Sequence, residues 1–316
     1  MRKIFKNLLG ILTIIPVLSF GASKAEQLRI GYQKSDPGFI LLKESGELEK
    51  KLEPLGVKVS WIEFPAGPQL LEGLNVGSID LGTVGETPPI FAQAANAKIK
   101  YIAYKTGFPK SEAILVQKDS PIKTVADLKG KKVALNKGSN VHYLLVKALE
   151  EAGLKYSDIQ TIFLPPADAR AAFEKGSVDA WVIWDPFFAA AELKIGAKNL
   201  RDGVNIVNNY QFYLVEESYI KNKEVIDIVF DEIKKVDEYL TKEPLKTAKT
   251  LSAINGLDVE ALELAHKRAV FTTQYLTPKV IKDQQEIADT FYDLKLIPKK
   301  LDIKSVVWIP ETKKGK

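Results

Sequence analysis

The chain has 316 residues, with 45 Lys and Arg against 40 Asp and Glu for a formal charge of +5, no cysteine and two histidines. Without cysteine it can form no disulfide, thiolate metal site or thiol nucleophile, and His142 and His266 are too far apart in sequence to suggest a histidine metal site. A hydrophobic content of 46% and a charged content of 27% are ordinary for a globular protein, and the length suits one large domain or two modest ones.

The chain opens with Arg2, Lys3 and Lys6, continues as an apolar run from Leu8 to Phe20, and then reads Gly21-Ala22-Ser23-Lys24-Ala25. A basic start, a short apolar core and a small-x-small end predict a cleavable signal peptide over 1–25. The run is short for a bilayer-spanning helix, which needs about 20 residues. A lipid anchor would need a cysteine, so the expected mature protein is free in the periplasm. The leader carries four basic residues and no acid, which leaves the rest of the chain near +1. That charge gives no footprint for nucleic acid. The terminal Lys313, Lys314 and Lys316 read as a short solvated tail.

Strands and helices then alternate. Leu28 to Tyr32 reads as a strand, Phe39 to Leu52 as a helix, and Val57 to Phe64 as a strand. Gly67-Pro68 opens a helix with Leu70, Leu71 and Leu74 on its apolar face, and Gly77 stops it. Ile79 to Val84 is a buried-type strand. This order predicts an α/β protein with largely parallel sheets.

The segment Leu74-Asn75-Val76-Gly77-Ser78-Ile79-Asp80-Leu81 returns about 100 residues later as Phe173-Glu174-Lys175-Gly176-Ser177-Val178-Asp179-Ala180. Each copy ends a helix, enters a strand, and leads to a proline-started helix, at Pro88 and at Pro186. The repeat predicts two similar lobes. The expected first lobe spans 26–117 and 210–316, and the second 118–209, with Asp119-Ser120-Pro121 as the crossover. Tyr219 to Phe291 is expected to be mostly helical, its apolar spacing between Val225 and Leu240 having the helical period.

Loops at the carboxyl ends of parallel strands line the crevice of such folds. Gly85-Glu86-Thr87 and Trp184-Asp185 should therefore face a cleft, one from each lobe. A third tip, Lys137-Gly138-Ser139-Asn140, opens a helix from Val141 to about Ala152, whose first amides favour an anion. Ser139 reads as a helix cap that can also contact a ligand, Gly138 permits close backbone approach, and Asn140 adds a side-chain amide. Thr87 is expected to cap the next helix, although Pro88 and Pro89 remove two amide donors. Trp184 reads equally as an apolar wall for an alkyl chain or as a core residue. Asp185 reads first as a cap, Arg170 as a solvated ion pair with an anion contact as the alternative, and His142 as packing. Gln33 ends the first strand within reach of the cleft.

The stretches Ile30-Gly31-Tyr32-Gln33-Lys34, Phe64-Pro65-Ala66-Gly67-Pro68-Gln69-Leu70, Gly85-Glu86-Thr87-Pro88-Pro89, Ser111-Glu112-Ala113, Leu135 to Tyr143, Pro165-Pro166-Ala167-Asp168-Ala169-Arg170, Trp184-Asp185-Pro186 and Gln211-Phe212-Tyr213 are similar to the periplasmic aliphatic-sulfonate-binding proteins of ABC transporters. The resemblance implies a type II periplasmic-binding-protein fold, each lobe a mixed sheet flanked by helices, with a helical C-terminal region. It implies a carrier, not an enzyme, with no cofactor or metal, that binds an alkanesulfonate and hands it to permease subunits, acting as a monomer. It assigns the ligand to Gln33, Gly85, Glu86, Thr87, Gly138, Ser139, Asn140 and Trp184, with Glu112, His142, Arg170, Asp185 and Gln211 as secondary candidates. The loop Ser35-Asp36-Pro37-Gly38 departs from the family pattern beside that site. Rival readings are a binder of taurine, nitrate or sulfate, an enzyme of the thiamine-pyrimidine-forming type, and a sensor module. The export signal and the lack of a reactive cluster of cysteine and histidine disfavour the enzyme.

Overall fold

A computed structural model describes residues 27–310; the expected signal peptide and the terminal lysines lie outside the described residues. In chain order the elements are β1 (Gln27–Gln33), α1 (Pro37–Ser45), α2 (Glu47–Leu52), β2 (Lys58–Phe64), α3 (Gly67–Asn75), β3 (Leu81–Gly85), α4 (Pro88–Ala94), β4 (Ile99–Lys105), β5 (Glu112–Val116), β6 (Lys132–Leu135), α5 (Asn140–Glu151), β7 (Gln160–Phe163), α6 (Pro166–Glu174), β8 (Ala180–Trp184), α7 (Phe187–Ile195), β9 (Lys198–Asp202), β10 (Gln211–Glu216), α8 (Lys223–Lys242), α9 (Pro244–Asn255), α10 (Val259–Arg268), β11 (Thr273–Gln274) and α11 (Pro278–Asp293). The single helix expected over Phe39–Leu52 is two, because Gly46 takes a left-handed conformation (φ 63°) that ends α1.

Two mixed sheets carry these elements. The first has six strands in the order β11-β4-β10-β3-β1-β2, the second five in the order β7-β6-β8-β5-β9. In each, three strands run parallel (β2, β1, β3 and β7, β6, β8), and an antiparallel strand, β10 or β5, lies beside the third. Both inserted strands are the first to follow a crossover between lobes. The expected boundary at 117/118 leaves β5 in the first lobe, but its ladders are with β8 and β9. The chain thus crosses between Lys105 and Glu112, at a short Pro109–Ser111 turn, and returns between Asp202 and Gln211. Asp119-Ser120-Pro121 is a turn inside the second lobe, where turn chemistry alone suggested a crossover.

The sequence repeat corresponds to equivalent places in the two sheets. Asp80 Oδ2 accepts the amide of Arg29 at 2.8 Å, and Asp179 Oδ2 accepts the amide of Lys132 at 2.8 Å. The Asp80 and Asp179 amides in turn donate to the carbonyls of Arg29 and Lys132, also at 2.8 Å. Each aspartate therefore starts the parallel pairing of a central strand with its neighbour. The helix α3 reaches the first sheet because Gly31 and Gly82 carry no side chain beneath it. A Cβ would stand 3.2 Å from Leu70 of α3 at Gly31, where it would also strike Ile79 at 2.4 Å, and 2.5 Å from Leu70 at Gly82.

The C-terminal helices do two jobs. The amphipathic α8 packs on α1 and α2 and buries Val225, Ile226, Val229 and Ile233 in the first lobe's core. The helix α10 instead crosses to α7 of the second lobe. There Ala189 and Ala190 meet Ala261, and Arg268 reaches Glu192 at 2.5 Å and Asp185 at 3.4 Å. Phe291 of α11 packs in one cluster with Ile90 of α4 and Val141 of α5, so the lobes also share apolar core.

Candidate functional site

A cavity of about 920 Å³, counting its solvent-open part, lies between the lobes. Strand ends β1, β3 and β4 form one side, β8 and the start of α5 the other. The two crossovers close the back through Phe108, Ser111, Asn209 and Tyr210. The crossovers are tied together: the Phe108 amide donates to the Asn209 carbonyl at 3.3 Å, and Asn209 Nδ2 donates to the Phe108 carbonyl at 3.2 Å. A Cβ at Gly107 would stand 2.1 Å from the Asn208 carbonyl oxygen, so the two segments run in direct contact.

The helix starts bordering the cavity differ in the donors they offer. At α1, Asp36 Oδ1 accepts the Gly38 and Phe39 amides at 3.0 and 3.4 Å, so that end already holds a carboxylate. At α4, Pro88 and Pro89 have no amide hydrogen. At α7, Asp185 Oδ1 accepts the Ala189 amide at 2.9 Å. The start of α5 has no carboxylate cap and no proline, and the amides of Asn140 and Val141 precede its first intrahelical bond. An anion is therefore best received at α5. Beside it lies Ser111 Oγ, buried and without a hydrogen-bond partner, on the cavity wall.

The cavity also carries apolar surface: Leu251 of α9, Leu262 and Ala265 of α10, and Phe271 line it with Ile40 and Trp184, and Asn255 and His266 of the same two helices line it as well. Trp184 Nε1 donates to Ser35 Oγ of the other lobe at 3.4 Å, and its ring packs edge-on to Phe187. Lys105 also borders the cavity, yet it is committed: its Nζ lies 3.2 Å from Asp237 Oδ1. Burial opposes its charge, but Tyr213, Asp237 and Asp36 more than offset this and raise its pKa.

Of the residues expected at the site, Gln33, Gly85, Asn140 and Trp184 line the cavity, as do Asp185 and Gln211. Gln33 Nε2 donates to the Thr83 carbonyl at 3.0 Å. Asp185 is both a helix cap and an ion-pair partner of Arg268, and burial pushes its carboxyl up to about 7. The remaining candidates stand behind the wall or away from it. Glu86 is fully buried and its Oε2 accepts the Tyr210 amide at 2.8 Å. Thr87 is buried and its hydroxyl caps nothing. The Ser139 hydroxyl donates back to the Asn136 carbonyl at 2.7 Å, so it fixes the turn and does not cap α5. The Gly138 amide donates to His142 Nδ1 at 3.2 Å, which leaves the proton of that imidazole on Nε2, 2.7 Å from the Tyr156 hydroxyl. His142 is buried among Phe91, Phe163 and Phe291, and burial lowers its pKa to about 4. Arg170 pairs with Glu174 at 2.6 Å on the surface of α6. Glu112 is buried and accepts from Asn140 Nδ2.

Sequence reasoning missed Ser111, Asn209 and the apolar wall. Ser111 and Asn209 stand in the two crossovers, which only the sheet pairing reveals. The wall comes from α9 and α10, which fall in the stretch expected to be helical but whose docking place no local pattern gives. No cluster of metal-binding side chains occurs among the described residues.

Residues 54–247 match the family model described as NMT1/THI5 like. A relative from Escherichia coli K12 named for binding aliphatic sulfonates is 47% identical over 320 residues, covering 100% of this chain and 99% of its own. The chain belongs to the aliphatic-sulfonate-binding proteins of the NMT1/THI5-like family. The alkanesulfonate-binding protein of Xanthomonas axonopodis pv. citri, solved bound to MOPS, superposes with a TM-score of 0.88 at 42% identity, over 92% of this chain and 100% of that one. The periplasmic aliphatic sulphonate binding protein of Escherichia coli gives 0.84 at 46% identity, over 93% and 95%. These relatives are binding proteins, and the two-lobed fold with mixed sheets is theirs.

Proposed function

We propose that this chain captures aliphatic sulfonates in the interlobe cleft and presents them to the permease of an ABC importer. It acts as a monomer in the periplasm after loss of residues 1–25. The observation that carries this reading is the division of one cavity into two chemistries. The backbone amides at the start of α5 and the Ser111 hydroxyl offer donors to a small anion, while Trp184, Leu262 and Phe271 offer an apolar wall. That combination suits a compact anionic head on a hydrocarbon tail. A sulfonate stays ionised near neutral pH, and its three oxygens accept several donors at once. Amides and hydroxyls suffice for this, so a free cation at the head is not needed.

Groups from both lobes face the same space, so a bound anion ties them together. Ligand that contacts both lobes favours the closed arrangement by its differential affinity for that state. Cargo is then shielded until the permease binds the closed form.

The test is titration calorimetry on refolded mature chain with ethanesulfonate, butanesulfonate, hexanesulfonate, sulfate and nitrate. One-to-one binding of the alkanesulfonates is expected, tightening by up to about fourfold for each methylene that the wall covers. The variant Ser111→Ala should weaken all of the alkanesulfonates alike. Sulfate or nitrate binding as tightly as hexanesulfonate would overturn the sulfonate assignment while leaving an anion carrier.

A further inference from the structure

Two carboxyls from opposite lobes are buried close to Asn140, Glu112 in contact with its amide and Glu86 next in sequence to Gly85, against which the Asn140 side chain packs, and neither forms part of the cavity wall. Glu86 leaves β3 in the first sheet, and Glu112 opens β5 in the second; both are fully buried. Each has one oxygen satisfied and one without a partner. Glu86 Oε2 accepts the Tyr210 amide at 2.8 Å and Glu112 Oε2 accepts from Asn140 Nδ2, while Oε1 of both is unpaired. The Asn140 side chain lies against Gly85, where a Cβ would be 3.0 Å from its own Cβ, and it also donates to Asn209 Oδ1 at 3.1 Å. The two acids thus hold the ends of both crossovers and the side chain that faces the cleft.

The groups around them are acidic or neutral. Glu86 is faced by Asp283 from α11, Tyr210 from the return crossover and Tyr143 from α5. Glu112 is faced by Glu86 and Asn140, with Trp184 opposite it on β8. Asp283 has its own cation, Lys279 at 2.5 Å. Burial raises both carboxyls, Glu86 to about 7 and Glu112 well above its ordinary range, and the Glu86 charge adds to the burial at Glu112.

We propose that Glu86 and Glu112 are positioning residues that together hold a proton when the lobes close over an anion, orient Asn140, and so make cargo binding take up a proton. The proposal rests on the sulfonate reading of the cleft. Two ionised carboxylates in this dry junction repel each other and repel an anion seated against Asn140. One proton removes the mutual repulsion and leaves the acceptor that orients Asn140. Opening lets water solvate both groups, and the proton leaves.

The dissociation constant of ethanesulfonate, itself ionised throughout, is measured from about pH 6 to about pH 9, with calorimetry in buffers of different ionisation heat. Affinity should fall by up to about tenfold per pH unit on the alkaline side, with net proton uptake on binding. Glu86→Gln with Glu112→Gln keeps both acceptor oxygens, and in that double variant the slope and the proton uptake should vanish. Asp185→Asn, which removes the raised carboxyl that lines the cavity, should leave the slope in place. A flat wild-type profile, or a slope that survives in the double variant and disappears in Asp185→Asn, overturns the proposal. Infrared difference spectra between anion-bound and anion-free chain at neutral pH read that proton directly. A protonated-carboxyl band that appears on binding in the wild type and is missing from the double variant supports the pair, and no such band in the wild type refutes it. Failure of ethanesulfonate to bind at any pH would defeat the sulfonate reading alone, since the same difference spectra can then be recorded with sulfate or nitrate as the anion.

Discussion

The ends of β3 and β8 are built on the same helix–strand–helix unit but put an acid to opposite uses. In the first lobe Glu86 turns away from the cavity, holds the Tyr210 amide and meets no cation. In the second, Asp185 borders the cavity, caps α7 through the Ala189 amide and pairs with Arg268 across the lobes. The preceding residue differs as well, Gly85 against Trp184. Removing the side chain at Gly85 lets Asn140 close in, whereas supplying an indole builds the wall. The repeated backbone thus gives the first lobe a joint and the second lobe a contact surface.

The largest test of the repeat concerns its aspartates. Asp80 accepts the Arg29 amide and also binds its guanidinium at 2.9 and 2.5 Å, whereas Asp179 holds the Lys132 amide alone. Asp80→Ala should cost about 3 kcal/mol and Asp179→Ala about 1 kcal/mol in urea unfolding. Equal costs would mean that the two lobes use this position alike.

Next comes the contrast between the acids. Both carboxyls are raised by burial in the folded state, so the stability they confer is full below their unfolded pKa and is lost as pH rises through about 7. Glu86 has no cation to lose, so Glu86→Gln should raise stability by about 1 kcal/mol at pH 8 and flatten its decline between about pH 5 and pH 8. Asp185→Asn gives up the Arg268 contact along with the buried charge, so its gain at pH 8 should be smaller than that of Glu86→Gln. Thermal melts across that pH range would read both gains, and equal gains would erase the distinction.

A smaller effect separates wall from joint in binding. Trp184→Ala should weaken hexanesulfonate about tenfold and ethanesulfonate by less than about threefold, because only the longer tail reaches the indole face. Uniform weakening would place Trp184 at the head group. The smallest effect is at Arg170, whose exposed pair with Glu174 should be worth less than about 0.5 kcal/mol; Arg170→Ala should leave binding unchanged.

The architecture was legible because the Gly-Ser-apolar-Asp repeat has a backbone cause: the aspartate that begins each central strand's pairing. Strand ends at Gln33, Gly85 and Trp184 were placed at the cavity by the rule that loops at the carboxyl ends of parallel strands face the crevice. What the sequence hid was direction. Glu86, Thr87 and Ser139 follow such strand ends, yet Glu86 serves the crossover, Ser139 the turn, and the buried Thr87 hydroxyl neither, and nothing local distinguishes an acid turned inward from one facing the cleft. The crossover at 106–111 was hidden because β5 reads as an ordinary apolar strand until its antiparallel partners are known. The wall from α9 and α10 depends on contacts more than 200 residues away from β1, beyond any local pattern.

The central claim is that one cleft takes an anionic head and an aliphatic tail together. Mature chain, unfolded and refolded to remove bound cargo, is melted with ethanesulfonate, hexanesulfonate, taurine, sulfate and nitrate. Ligand at 100 times its dissociation constant should stabilise the native state by about 2.7 kcal/mol, or a few degrees for a chain of this length. The account predicts a shift with both alkanesulfonates, larger for hexanesulfonate at equal concentration, and none with sulfate or nitrate. A shift with sulfate or nitrate and none with either alkanesulfonate would contradict it.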